Sequence, residues 1–225
     1  TDDDNLKREM LVKNSEIRAL QNQINAHFIY NVLESIKMMA EIDEEYDISD
    51  AVTSLGKLLR YSMKWASGNV LVEQELEYIK NYMALINLRF DYEIYLSLNL
   101  PEIILQQEIP KMSLQPIVEN AIYHGLDRMV DEGRILIRIY SEGEDVVFRV
   151  EDNGVGMSEE QCRSILHKEP GDNSGIGIKN VNDRIKIYFG KEYGLSIESE
   201  LDEGTTVIIR MPKVEENAAA GWEKV

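Results

Sequence analysis

Residues 19–36 read ALQNQINAHFIYNVLESI, a spacing that predicts a long helix with His27 at its centre. Residues three, four and seven apart share a helical face, so Gln23, Tyr30, Asn31 and Glu34 surround His27. The apolar residues Leu20, Ile24, Phe28, Val32 and Ile36 fall on a separate stripe, which turns His27 away from the seam and toward solvent. An imidazole changes charge near neutral pH and can serve as nucleophile, acid, base or ligand. A lone helical histidine is more often an ordinary surface residue, so its meaning depends on the rest of the chain.

Helical spacing extends upstream through Leu6, Met10 and Ile17. Downstream, residues 41–46 form an acidic connector. A second helix is expected from Asp47, read as its N-cap, with Ile48, Val52, Leu55, Leu59 and Met63 as its core face. Two antiparallel helices cannot cover faces this wide. The expectation is a homodimer in which two hairpins complete a four-helix bundle.

Ala66-Ser67-Gly68-Asn69 breaks the pattern. Helical period returns over 73–90 through Leu76, Ile79, Met83, Ile86 and Phe90, then changes to two over 92–100, as in a half-buried strand. Pro101 and Pro110 punctuate a loop, and 111–125 reads as a helix closed by Gly125. Strands are expected at 134–140 and 146–151 around a turn at 142–144, and at 195–199 and 206–211 around Glu203-Gly204. Residues 158–166 and 177–189 read as helices on either side of a polar loop. The fold class is therefore α followed by α/β: a helical hairpin over 1–67, an α/β sandwich over 68–213, and a tail over 214–225.

Composition narrows the function. Of 225 residues, 44% are hydrophobic, enough for a globular core. Lys and Arg number 24 against 41 Asp and Glu, a formal charge of −17, which disfavours a nucleic-acid partner because phosphate binding needs a basic surface. The single cysteine, Cys162, excludes an internal disulfide and a cysteine-based zinc site. No run of about 18 apolar residues suggests a membrane span. The opening TDDDNLKREM shows no signal peptide and reads as the start of an excised cytoplasmic fragment.

Three blocks carry chemistry. Glu119-Asn120 with His124 lies on a helix, Asp152-Asn153-Gly154-Val155-Gly156 ends a strand, and Ser174-Gly175-Ile176-Gly177 opens a helix. Glycines before a helix let backbone N–H groups approach a phosphate. A buried Asp can accept the amine of adenine, and an Asn oxygen is a hard ligand suited to Mg²⁺. Each block alone is an ordinary turn, cap or helical tripeptide; their order raises the joint reading.

In that order the chain resembles the cytoplasmic part of a bacterial two-component sensor histidine kinase of the YesM/LytS-like subgroup. The resemblance runs through QINAHFIYN, LGKLLRYS, VEQELEYIKNYMALINLRF, LQPIVENAIYHG, VEDNGVGM, GIGIKNVNDRIKIYFG and GTTVIIRMP. It implies a dimerisation and phosphoacceptor hairpin followed by an ATP-binding domain of the gyrase, chaperone and histidine kinase kind. By it, His27 matches the phosphorylated histidine and Asn120 the Mg²⁺ ligand. Asp152 matches the adenine-binding aspartate, and Gly154, Gly156, Gly175 and Gly177 the glycine boxes. Gly204-Thr205 matches the terminal turn near the nucleotide, with His124 beside the site, and 157–174 the ATP lid. It further implies ATP and Mg²⁺ as substrate and cofactor, a homodimer, a response regulator receiver domain as partner, and a receptor anchored in the bacterial inner membrane.

Two positions depart from the pattern. Phe28 stands where many histidine kinases place an acidic base, which leaves the base undefined; Glu119 is a candidate, or simply a solvated carboxylate. Asn31 matches a position that in related kinases helps place water for dephosphorylating the partner, or is a plain surface residue. Ala26 stands where the subgroup has proline, so the helix is expected to run straighter through His27. Two competing readings are a dimeric pseudokinase scaffold and a gyrase-type ATPase clamp without phosphohistidine.

Overall fold

The computed structural model describes residues 13, 25–63, 68–89, 93–126, 132–167 and 176–214. The chain divides into two compact units, Thr1–Ala66 and Ser67–Val225.

In the first unit, helix α1 is described over 25–42 and helix α2 spans Tyr46–Met63. The turn between them is closed by Glu45 N–H donating to Ala40 O at 2.8 Å, with Glu44 in the left-handed region at φ 59°. Asp47 lies inside the first turn of α2 rather than at its N-cap, where its charge still complements the helix dipole. Helical structure runs without interruption from residue 25 past Ala26, while Asn22, where a proline-induced bend would fall, lies outside the described residues.

The buried face of the hairpin also differs from expectation. Ala26, Ala40, Ser49 and Leu58 are buried, whereas Phe28 is 68% exposed and Ile48 49% exposed. Val32, Ile36, Leu55 and Met63 are likewise open. A helix in a two-helix hairpin has one neighbour, so only the small residues and one leucine at the contact are covered. The wider apolar stripes are left facing out.

The second unit is a sheet with helices packed on it. Strand β1 (Asn69–Leu71) leads into α3 (Val72–Ile86), whose Leu76, Ile79, Met83 and Ile86 are all buried as the helical period requires. The Leu71 N–H donates to Gln74 Oε1 at 2.9 Å, half of a capping box at the start of α3. Strand β2 (Ile94–Asn99) is tied to the end of α3 by the Asn87 amide, which accepts from Ile94 N–H and donates to Ile94 O. A 3-10 turn (Glu102–Gln106) and strand β3 (Glu108–Pro110) occupy the segment read as a loop. Strand β3 pairs with β1, two three-residue pieces too short to show a period.

Strands β4 (Gly133–Glu142), β5 (Asp145–Asp152), β6 (Gly194–Glu200) and β7 (Gly204–Pro212) join β2 in one sheet, ordered β2-β4-β5-β7-β6. The β2–β4 pair is parallel and the others antiparallel. Ile135, Ile137, Ile139, Phe148, Val150, Val207 and Ile209 form the buried face of the sheet. Helices α4 (Gln115–Asn120) and α6 (Ile176–Phe189) pack together, and α6 also contacts β6 and β7. Helix α5 (Glu159–His167) has no buried residue.

The helix expected over 111–125 is broken in two ways. Pro116 sits in the first turn of α4 and has no N–H to donate to the Met112 carbonyl four residues back, so the helix does not extend upstream and residues 111–114 form turns. Met112 takes φ 62°, and its carbonyl accepts from Arg184 of α6 at 2.8 Å. Fully buried Glu75 of α3 accepts the Leu114 N–H at 3.2 Å, satisfying one donor at the helix entry. Beyond Asn120 the helix widens into a π-helical segment, Ala121–Leu126, a device that re-aims side chains.

Candidate functional site

Asp152 ends β5 at the middle of the sheet, where three backbone segments converge. Its Oδ1 accepts the Gly154 N–H at 2.9 Å. Thr205 stands opposite it on β7 and supplies a second backbone donor. Gly125, at the end of the π-helical segment, packs directly against the carboxylate; a Cβ there would lie 3.0 Å from Asp152 Oδ1. Burial pushes the Asp152 carboxyl up to about 6, against the opposing pull of the two backbone donors.

The glycines of this junction serve close approach. A Cβ on Gly154 would overlap the backbone of Gly125, whose carbonyl accepts the Val155 N–H at 3.0 Å. Gly156 has φ +66° and Gly204 φ +109°, and a Cβ on either would overlap backbone, of Glu200 and of Asp152 respectively. Gly156→Ala combines strain with overlap and is expected to cost unit two about 2–4 kcal/mol. Chemical denaturation checks this; a loss below about 0.5 kcal/mol would show that the turn opens freely.

Hydroxyls and an amide complete the frame. Ser199 Oγ donates to Gly204 O at 2.8 Å, lies 2.7 Å from Thr205 Oγ1, and accepts the Met157 N–H at 2.8 Å. Asn153 accepts from Arg134 N–H and donates to Glu132 O, fastening the end of β5 to the start of β4. Sequence reading treated Asn153 as a turn residue and Gly125 as a helix cap; only their long-range partners distinguish them.

Asn120 ends α4, half-buried, and no hydrogen bond among the described residues engages its side chain. Glu119 accepts from Gln115 Nε2 at 3.0 Å and so is already occupied by a neighbour one turn back. His124 lies exposed in the π-helical segment. Gly177 opens α6 against Pro116 of α4, whose Cβ would lie 3.1 Å from a Cβ placed there. Gly175 and Ser174 lie outside the described residues, as does 168–174 of the expected lid; the lid segment that is described contains α5.

In the first unit His27 is exposed on α1, and Asn31 Nδ2 lies 3.2 Å from its Nδ1. Arg60 of α2 sits over the ring of Tyr30 at 5.1 Å from the centroid.

Comparison with known proteins decides the family. Residues 15–94 match the model described as histidine kinase, and residues 110–215 the model of histidine kinase-, DNA gyrase B- and HSP90-like ATPases. The chain belongs to the histidine kinase family. It is 37% identical over 210 residues to the sensor histidine kinase YesM of Bacillus subtilis, covering 93% of this chain and 35% of that protein. It is 32% identical over 206 residues to the sensor histidine kinase BtsS of Escherichia coli, with 92% and 35% covered. The chain thus spans about a third of the length of these relatives. A histidine kinase domain of a blue-light activated kinase from Erythrobacter litoralis shares the fold, with TM-score 0.53, 17% identity, and 92% and 99% of the two chains covered. In this member of the family, one unit carries an exposed helical histidine and the other a sheet-end aspartate framed by glycines. No described helix is long and apolar enough to cross a membrane.

Proposed function

We propose that this chain autophosphorylates His27 with Mg-ATP and passes the phosphoryl group to an aspartate on a response regulator receiver domain. The observation that carries the reading is the Asp152 carboxylate, held by Gly154 N–H and framed by glycines, in a family member whose other unit exposes His27. In this reading residues 1–67 form the dimerisation and phosphoacceptor hairpin and 68–213 the ATP-binding domain. The full-length protein is a membrane-anchored sensor.

The residues fit the nucleotide. A carboxylate has about four lone-pair positions, so with the Gly154 and Thr205 backbone donors in place Asp152 can still accept the adenine amine. The Gly125–Gly154 contact removes side chains from that wall, so a flat base can lie against it. Gly204 and Thr205 lie beside Asp152, and Gly177 lies in the first turn of α6, where backbone N–H groups suit phosphate; in this reading Gly175, outside the described residues, belongs to the same glycine box. Asn120, whose side chain makes no hydrogen bond among the described residues, would hold Mg²⁺, with His124 one turn on. When bound, the metal offsets charge on the phosphates. His27 supplies the nucleophile, and its exposure lets both the phosphoryl donor and the receiver reach it. Asn31 in this reading also helps dephosphorylate the regulator.

The homodimer reading rests on the uncovered stripe of Phe28, Val32, Ile36, Ile48, Leu55 and Met63. Sedimentation is expected to give twice the 25.9 kDa chain mass at micromolar concentration. A monomer there would overturn the four-helix bundle. Incubation with labelled ATP and Mg²⁺ tests the activity: acid-labile, base-stable phosphate on the chain supports a kinase. Its absence with nucleotide bound would mark a pseudokinase, and turnover without it an ATPase clamp.

A further inference from the structure

The His27 imidazole has one side-chain partner among the described residues, and it is an amide rather than a carboxylate. The next residue, Phe28, is apolar and 68% exposed, and Glu34, on the same face, makes no hydrogen bond or ion pair with the ring among the described residues. We infer that Asn31 is a positioning residue that keeps Nδ1 of His27 engaged in either tautomer and so selects Nε2 as the atom that receives phosphate. The inference deepens the kinase reading and rests on it for the identity of the donor.

A neutral imidazole carries one N–H and one lone pair. With the amide nitrogen of Asn31 toward Nδ1, as found, Nδ1 accepts and the ring proton is on Nε2. Neither nitrogen then offers a free lone pair, and the ring rests. Half a turn of the amide brings Oδ1 to the same place at the same separation. Now Nδ1–H donates to Oδ1, and Nε2, pointing into solvent, has its lone pair free. A carboxylate could hold only the second state; an amide holds either.

The step from the reactive state balances. The Nε2 lone pair forms the N–P bond, and the bond from the γ-phosphorus to the bridging oxygen breaks, with its electrons leaving on ADP. The ring is then cationic until the Nδ1 proton departs. Oδ1 stabilises that proton through a hydrogen bond but cannot take it, so it passes to water, which the exposure of both side chains supplies.

The test uses the full chain and two phosphoryl donors, Mg-ATP and phosphoramidate, a small reagent that needs no nucleotide site. Phosphorus NMR identifies which ring nitrogen is modified, and nitrogen NMR of labelled histidine reads the tautomer, with His27→Gln assigning the signal. Wild type and Asn31→Asp are expected to carry phosphate on Nε2 alone, and Asn31→Asp to show the Nδ1–H tautomer. Asn31→Ala is expected to react at least 10-fold more slowly with ATP and to give both isomers with phosphoramidate. An Asn31→Ala chain with the wild-type isomer pattern and tautomer would overturn the inference. Failure with ATP, together with the expected isomer pattern from phosphoramidate, would sink the kinase reading while supporting the role of Asn31.

Discussion

His27→Gln is expected to leave nucleotide affinity within about two-fold while acid-labile phosphate falls to background, a loss of at least about 1,000-fold because no alternative nucleophile occupies that position. The two effects separate because His27 belongs to the unit ending at Ala66, while Asp152, Asn120 and Gly154 belong to the other. Glutamine keeps a polar group one turn from Asn31 and has better helix propensity than histidine, so the hairpin should fold as before. Helical circular dichroism, calorimetry with ATP, and acid-labile phosphate counts form the check. Phosphate incorporation at the wild-type level would remove His27 from the acceptor role.

Asp152→Asn is expected to trade function for stability. In the wild type, Gly154 N–H occupies Oδ1. An asparagine would keep its oxygen on that donor and so turn its NH₂ toward the base. There it meets the adenine amine donor to donor, which should weaken nucleotide binding by about 1–3 kcal/mol, roughly 5- to 150-fold.

Without nucleotide the sign reverses. Burial raises the Asp152 carboxyl from 3.8 to about 6, so the folded state holds its proton more tightly than the unfolded chain. The stabilisation from this group is complete below about pH 3.8 and is lost as pH rises through about 6. Above pH 6 the wild type therefore carries a buried anion at a cost of about 2 kcal/mol, allowing for its partial exposure. The asparagine variant avoids that cost. At pH 8 its unliganded second unit should melt roughly 4–8 °C higher than the wild type, with the difference closing toward pH 4. A melting difference independent of pH would show that ionisation at position 152 is not its cause.

A stabilising change that cripples binding is what a functional carboxylate predicts. The same position explains why the site was partly legible without coordinates. Aspartate before Asn-Gly at a strand end is a local pattern, and the strand itself is announced by Val146, Phe148 and Val150 at period two. The raised pKa of Asp152 is a different matter. It arises from burial at a junction where Gly125, 27 residues before it in the chain, packs on the carboxylate and Gly204, 52 residues after it, packs on its backbone, and no local period encodes that enclosure.

The hairpin gives the converse lesson. Its two helices and the outward aim of His27 follow from side-chain spacing, because the helical repeat alone assigns residues to faces. Which face the hairpin covers does not follow, since the covered face is the less apolar one, made of small residues and one leucine, and only the packing of α1 on α2 selects it. Buried Ala26, Ala40, Ser49 and Leu58 won over Phe28 and Ile48.

By itself, then, the amino-acid order determined the succession of helices and strands, the division into a helical part and a sheet part, and the chemical identity of the motif residues. Each of these rests on spacing within a turn or a strand. Tertiary structure alone decided the β1–β3 pairing, the left-handed Met112 turn held by Arg184, and the widening of α4 into a π-helical segment that presses Gly125 onto Asp152. Those features depend on contacts between residues far apart in sequence. A strand of three residues has no readable period, and a helix changes its pitch only when a packed neighbour compensates the altered hydrogen bonding.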